Sequence, residues 1–146
     1  MYKQAIEILE ALPVEQRRLI SGRYRALLTL ADTSDPNAIK INKVECYCAV
    51  GAVIPASRGY EENITSVYRA DSQVSNQVDA LGLTIDEIEA LQIVNDFYNV
   101  NSENPLKDRY DFILTFMKSY DSKPNPALLT AVIEQESIEP LKDLLC

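Results

Sequence analysis

The chain has 146 residues, of which 47% are hydrophobic and 25% are charged, and its formal net charge is −8. This length suits one domain with a single core, and the composition excludes a disordered protein. No apolar run approaches the roughly 20 residues that a membrane-spanning helix needs, so we expect a protein that does not enter a membrane.

The N-terminal part shows the period of two helices. The first is a short amphipathic helix from Tyr2 to Leu12. The second begins near Pro13 and ends before Asp32, because apolar residues follow one stripe of a helix over this stretch. That stripe consists of Ile20, Tyr24, Leu27, Leu28 and Ala31.

The next segment is predicted to be a central, buried helix. Asn42 and Glu45 have the spacing of a capping pair at its start, and Pro55 ends it. Residues 48–54 in its middle include no charged side chain. Gly51 costs about 1 kcal/mol of helix propensity relative to alanine, so we expect that it allows a neighbouring helix to approach closely.

The stretch between Ile54 and Val67 is irregular and has room for a small hairpin. Apolar residues with helical spacing follow it and end at Gly82, which is placed as a C-terminal cap. The residues on this helix face are Val67, Val74, Val78 and Leu81.

Capping and proline signals indicate the remaining helices. Thr84 and Glu87 form a capping box that opens a helix through Tyr98. Pro105 and Pro126 each follow an asparagine and start another helix, and Ser137 is placed to cap a last short one. The sequence therefore predicts an all-α fold, a single-domain bundle of seven or eight helices over residues 1–146.

Charge is divided unevenly along the chain. Residues 1–60 carry eight Lys and Arg against six Asp and Glu, whereas residues 61–146 carry six against sixteen. An acidic surface attracts a basic partner, for example a protein with a nucleic-acid-binding groove. It also simply keeps a small protein soluble, which is the more common role. The candidate acidic interface residues are Glu61, Glu62, Glu134 and Glu136.

The basic residues Arg17, Arg18 and Arg25 are the candidates for a second interface. Arg18 and Arg25 are seven residues apart, so they share one side of the predicted second helix. A phosphate contact would suit them, but the chain lacks the short recognition helix of a helix-turn-helix protein. Ordinary surface charge, or pairing with the acidic part of the chain, is favoured over nucleic-acid binding.

Catalytic and metal chemistry have few candidate residues. The chain has no histidine, and on a helix Cys46 and Cys48 would point about 200° apart, which excludes joint metal binding. Cys48 is interpreted as a small core residue. Asn95 and Asp96 are interpreted as cap or turn residues rather than a ligand site. We predict no catalytic residue, no metal and no cofactor.

The cysteines and the N-terminus indicate a cellular compartment. Three cysteines, an odd number, fit reduced thiols better than a disulfide framework. Glu7 is an acidic residue where a secretory signal would continue as an apolar core. We expect a cytoplasmic protein.

Four short motifs follow one another in fixed order between about residues 44 and 118. They are Tyr47-Cys48-Ala49-Val50-Gly51-Ala52, Leu81-Gly82-Leu83-Thr84, Leu91 with Asn95-Asp96, and Tyr110-Asp111-Phe112-Ile113. This series resembles a pattern in small proteins of tailed phages and prophages. Phe97 departs from it, because a glycine usually follows the Asn-Asp pair closely. The resemblance implies a phage or mobile-element setting in a bacterial cytosol, not an activity.

Three classes of function remain open. The favoured one is a noncatalytic phage or mobile-element protein that binds and modulates a host protein, as an inhibitor or an anti-defence factor does. The first alternative is a nucleic-acid-binding accessory factor that uses the basic second helix. The second alternative is a small enzyme built on carboxylates and tyrosines, for which no set of residues can be named. A homo-oligomer is compatible with all three.

Overall fold

The computed structural model describes residues 1–31, 41–99 and 101–145. These residues are mostly helical, as predicted, but they also form a two-stranded antiparallel sheet, so the all-α prediction is confirmed only in part. The strands are β1 Arg25–Ala31 and β2 Ile41–Tyr47. The helices are α1 Lys3–Glu10, α2 Ala49–Val53, α3 Ile64–Ala70, α4 Ser72–Ala80, α5 Ile85–Phe97, α6 Pro105–Ser122, α7 Pro126–Gln135 and the short α8 Lys142–Leu145.

Strand β1 replaces the second half of the helix predicted from Pro13 to Ala31. The register pairs Leu28 with Val44, and both side chains pack against the core. Leu27 faces the other side of the sheet and is 64% exposed. Because a short apolar run fits a helix or a strand, pairing with β2 decides its conformation here. The predicted helix end before Asp32 lies outside the described residues.

Strand β2 and α2 replace the predicted long central helix. Asn42 and Glu45 lie in β2, so they are not a capping pair. The helix begins only after Cys48, whose sulfur accepts a hydrogen bond from the Gly51 N–H at 3.3 Å. All five residues of α2 are buried, so the prediction of a buried central helix is confirmed in a shorter form.

The close approach at Gly51 is made by a different element from the one predicted. A Cβ atom at this position would lie 2.1 Å from the Tyr24 carbonyl oxygen. Tyr24 directly precedes β1, so the neighbour is an extended segment and not a helix. Glycine is required here because a main-chain atom fills the space of a side chain.

The predicted hairpin between Ile54 and Val67 was also wrong. A 3₁₀ turn at Pro55–Ser57 and the start of α3 lie there instead. The helix predicted through Val67 and Leu81 is divided into α3 and α4. Asp71 separates them in an extended conformation, and its carboxylate accepts a hydrogen bond from the Gln73 N–H at 2.8 Å at the start of α4.

The local capping signals were interpreted correctly. Thr84 and Glu87 form a reciprocal capping box at the start of α5, and Gly82 has a positive φ of 70°. Pro105 and Pro126 are the first residues of α6 and α7. Ser137 accepts a hydrogen bond from the Glu139 N–H at 3.1 Å, at the 3₁₀ turn that leads into α8.

Helix α5 lies at the centre of the packing. It contacts α2, α3, α6 and α7, while α1 packs against α2 and α6. The buried hydroxyl of Tyr2 donates to the Glu87 carbonyl at 2.7 Å and so joins the N-terminal residues to α5. None of the described helices combines the length and apolar character needed to cross a membrane.

Candidate functional site

Residues 19–24, here called the connecting segment, lie between the helices and β1. The Leu19 carbonyl accepts a hydrogen bond from Arg109 at 2.8 Å, and the Ile20 N–H donates to the Tyr47 carbonyl of β2 at 3.1 Å. The backbone of the segment is therefore fixed by α6 on one side and by the sheet on the other. Gly22 lies within it at a φ of 80°, a conformation that favours glycine.

The Asn95-Asp96 motif joins this segment to α2. The fully buried Asn95 amide donates to the Ile20 carbonyl at 2.9 Å and accepts from the Ala49 N–H at 3.0 Å. The Asp96 carboxylate accepts from the Gly22 N–H at 3.2 Å. Both side chains thus satisfy backbone groups, and Asn95 caps the first N–H of α2 from another helix.

Tyr24 is the side chain through which the connecting segment contacts α5 and the residues before α3. Its hydroxyl donates to the Glu62 carbonyl at 2.6 Å and accepts from the Gln92 amide at 2.9 Å. Burial raises the pKa of Tyr24 to about 12, mainly because the phenolate would lose its hydration. Tyr24 therefore remains a neutral hydrogen-bonding group at physiological pH.

The two described cysteines are buried thiols. Burial raises the pKa of Cys48 to about 12, and burial also raises the pKa of Cys46 although the nearby Arg18 charge opposes the shift. A thiol in this state is a poor nucleophile. Cys46 lies in β2 and Cys48 precedes α2, so the two cysteines do not share a helix and the predicted 200° separation was wrong. Within the described parts of the chain, no group of three or more acidic or cysteine side chains is arranged to hold a metal ion.

A cleft of about 250 Å³ lies against the connecting segment and is called the acidic cleft. Carboxylates from the loop before α3, from α5 and from the residue after α7 line it. They are Glu61, Glu62, Glu89, Asp96 and Glu136. Arg23 is the single basic residue among the described residues that line it. Phe97, which is 52% exposed, adds an aromatic ring to the same wall.

The structure thus brings together three of the four predicted acidic residues. Glu136 reaches the cleft from a left-handed conformation with a φ of 46°, which ends α7. Glu134 is exposed, but it does not line the cleft. Concave surfaces of one charge sign concentrate the electric field, so this cleft favours cationic groups.

A second cleft, of about 550 Å³, adjoins the acidic cleft, shares residues 22–24 and Glu61 with it, and is called the basic cleft. Its arginines are Arg23, Arg25 and Arg58, and Glu61 is the single carboxylate among the described residues that line it. The guanidinium of Arg58 lies 3.8 Å from the centre of the Tyr47 ring. Its Nε donates to the Gly51 carbonyl at 2.7 Å, so the side chain caps the C-terminal end of α2 and is held in place.

The predicted basic helix is absent. Arg17 donates to the Leu12 carbonyl at 3.0 Å and Arg18 to the Glu15 carbonyl at 2.7 Å, so both support the local backbone after α1. Arg25 lies in β1 and forms an ion pair with Glu45 at 3.3 Å. The three arginines therefore do not share one helix face, and the nucleic-acid interpretation loses its structural basis.

Two important arginines were missed by the sequence analysis. Arg109 is only 8% exposed and holds the connecting segment. A signal for it exists, because Arg109 lies three residues after Leu106 and four before Ile113, on the apolar stripe of α6. Arg58 follows a 3₁₀ turn, where no comparable sequence pattern indicates its role.

Comparison of the chain with protein-family models, curated proteins and solved structures finds no match. Its function is therefore inferred from the two clefts and their chemistry.

Proposed function

We propose that the protein is a noncatalytic interaction protein that binds a basic segment of another protein in the acidic cleft. The observation that supports this proposal is the convergence of Glu61, Glu62 and Glu136 from distant parts of the chain, with Arg23 as the one basic neighbour among the described lining residues. Carboxylates around a concave surface attract lysine and arginine side chains and steer their approach.

The size of the acidic cleft favours a protein partner over a small organic ligand. Its volume of about 250 Å³ is below the range of roughly 300–1,000 Å³ that is typical of small-molecule sites. One or two basic side chains fit such a space. The exposed ring of Phe97 offers a face on which a guanidinium stacks favourably.

The resemblance to small phage proteins supports a host protein as the partner, in a bacterial cytosol. A host protein with a basic, nucleic-acid-binding groove presents the charges that the acidic cleft attracts. Occupation of that groove would block its nucleic acid, which is inhibition of the kind expected of a host-modulating or anti-defence protein.

The proposal is tested by affinity purification of the tagged protein from its bacterial host. The double variant Glu61→Lys/Glu62→Lys reverses two charges in the cleft, and the control Glu134→Lys reverses one charge outside it. We expect a basic partner to copurify with the wild type and with Glu134→Lys, but not with the double variant. Unchanged recovery of the same partner by the folded double variant would reject the acidic cleft as its binding site.

A further inference from the structure

We propose that the free edge of β1 accepts an extended, acidic segment of a partner protein as an additional β-strand. The edge adjoins the basic cleft, which shares Arg23 and Glu61 with the acidic cleft but is lined by three arginines against one carboxylate among the described residues. Its evidence is the direction of the backbone groups in the hairpin, the exposure of Leu27 and the position of the basic cleft.

The register shows which backbone groups of β1 point away from β2. The Cys48 N–H donates to the Tyr24 carbonyl at 3.3 Å, so this pair is hydrogen-bonded across the hairpin. Hydrogen-bonded and non-hydrogen-bonded pairs alternate in an antiparallel ladder. The next pair, Arg25 with Tyr47, and the pair of Leu27 with Glu45 therefore direct their N–H and C=O groups outward.

On β2, outward backbone carbonyls are hydrogen-bonded to other parts of the chain. The outward carbonyl of Tyr47 accepts from the Ile20 N–H at 3.1 Å. The outward carbonyl of Glu45 accepts from the Gln16 amide at 3.0 Å. These two contacts agree with the alternation, and they occupy the β2 edge at Glu45 and Tyr47.

Within the described parts of the chain, the β1 edge has no such cover. The outward backbone groups of Arg25 and Leu27 have no hydrogen-bond partner elsewhere in the described chain. The Leu27 side chain is 64% exposed beside them. An edge strand with free backbone groups and an exposed apolar residue is a template for an added strand.

The basic cleft indicates the charge of the added strand. Arg25 is the first residue of β1 and also lines this cleft, beside Arg23 and Arg58. Arg23 has no hydrogen-bond or ion-pair partner among the described residues. Arg25 pairs with Glu45 at 3.3 Å, but both side chains are at least 40% exposed, so this weak pair is readily exchanged.

The geometry also predicts a sequence pattern for the occupant. Arg25 and Leu27 are two residues apart, so their side chains lie on the same face of the sheet. Their cross-strand neighbours on an added strand are likewise two residues apart. The partner segment should therefore carry an acidic residue and an apolar residue separated by one position.

A peptide library tests this inference. The probes are acetylated, amidated heptapeptides that alternate fixed valine or threonine with positions varied among Glu, Lys, Leu and Ser. Selection on the full-length protein should enrich peptides with Glu and Leu two positions apart. Methylation of the central backbone nitrogens should weaken the best peptide by about tenfold or more, because the ladder hydrogen bonds are lost.

Protein variants separate edge pairing from ordinary side-chain contact. Leu27→Pro removes an N–H that the hairpin does not use, and Leu27→Thr keeps that N–H while changing the side chain. We expect the proline variant to bind about tenfold more weakly than the threonine variant. If the proline variant does not fold, the methylated peptide and the double variant Arg23→Glu/Arg25→Glu, which should prefer lysine peptides, decide the question.

Three results would overturn the inference. They are the absence of any enriched peptide, enrichment of lysine-containing peptides by the wild type, and binding that tolerates backbone methylation. Sedimentation of the protein alone provides a further test. Self-association that Leu27→Pro abolishes would show that a second copy of the chain occupies the edge, against the proposal.

Discussion

Replacement of Gly51 by alanine is expected to destabilise the fold, although alanine is the better helix former. The added Cβ would lie 2.1 Å from the Tyr24 carbonyl oxygen and 2.9 Å from its carbon, whereas ordinary contact begins at 3.4 Å. Both obstacles are main-chain atoms, so either α2 or the connecting segment must move by about 1 Å. That movement strains the hydrogen bond from the Cys48 N–H to the Tyr24 carbonyl, which is 3.3 Å long.

The magnitude follows from three contributions. Overpacking of a filled site costs about 1–3 kcal/mol. Loss of the hydrogen bond costs about 1 kcal/mol. The gain in helix propensity returns about 1 kcal/mol. The net loss of unfolding free energy is about 1–3 kcal/mol, which lowers Tm by about 3–10 °C in a domain of this size. Gly51→Leu should lose more, because its side chain is larger.

The assay is urea unfolding followed by circular dichroism at about 222 nm, where helices dominate the signal. Gly59→Ala is the matched control, because a Cβ at Gly59 meets no atom within 4 Å. This control should change the unfolding free energy by no more than about 0.5 kcal/mol. If the Gly51 and Gly59 variants unfold at the same urea concentration, the predicted contact with Tyr24 is wrong.

Three further predictions concern other parts of the site. Asn95→Ala should lower the unfolding free energy by about 2–4 kcal/mol, because it leaves two buried backbone groups unpaired, and an unchanged urea midpoint would contradict this. Glu136→Gly should raise it by about 1 kcal/mol through relief of the left-handed φ of 46°, whereas a lower midpoint would show that the side chain is needed. Burial raises the pKa of Cys48 from its ordinary value of 9.0 to about 12. The buried neutral thiol therefore contributes its full stability below pH 9.0, and this contribution is lost as the pH rises towards about 12. Cys48→Ala should therefore lose less stability than the wild type between pH 9 and about 11, and equal losses would refute the argument.

Local capping chemistry was predictable because its partners lie within a few residues of one another. The capping box of Thr84 and Glu87 and the positive φ of Gly82 each depend on backbone groups of the same turn. The asparagine-proline pairs that contain Pro105 and Pro126 are local signals of the same kind. These signals gave the correct starts of the C-terminal helices.

The hairpin was not predictable in the same way. The residues of β1 satisfy a helical period as well as a strand period, and only pairing with β2 and the turn at Gly22 decide between them. Asn42 and Glu45 have the spacing of a helix cap, but both residues lie in strand β2. Tertiary contacts therefore overrode two plausible local signals.

The candidate site was predicted in part. Charge counting selected Glu61, Glu62 and Glu136, but their convergence depends on the packing of α7 against α5, which no charge count contains. Glu134 has the same chemistry only two residues earlier and does not line the cleft. The basic cleft was not foreseen, because Arg58 reaches Tyr47 only after the chain turns back on α2.

The most direct test of the acidic cleft is the salt dependence of association with the copurified partner. Association rate constants are measured by stopped flow over a salt series for the wild type, Glu61→Lys/Glu62→Lys and Glu134→Lys. We expect the wild-type and Glu134→Lys rates to fall steeply and in parallel as salt is added, since the cleft charges steer the encounter. The double variant should associate slowly at every salt concentration, with little dependence on salt. A wild-type rate that ignores salt, or a double variant that matches the wild type, would contradict the account.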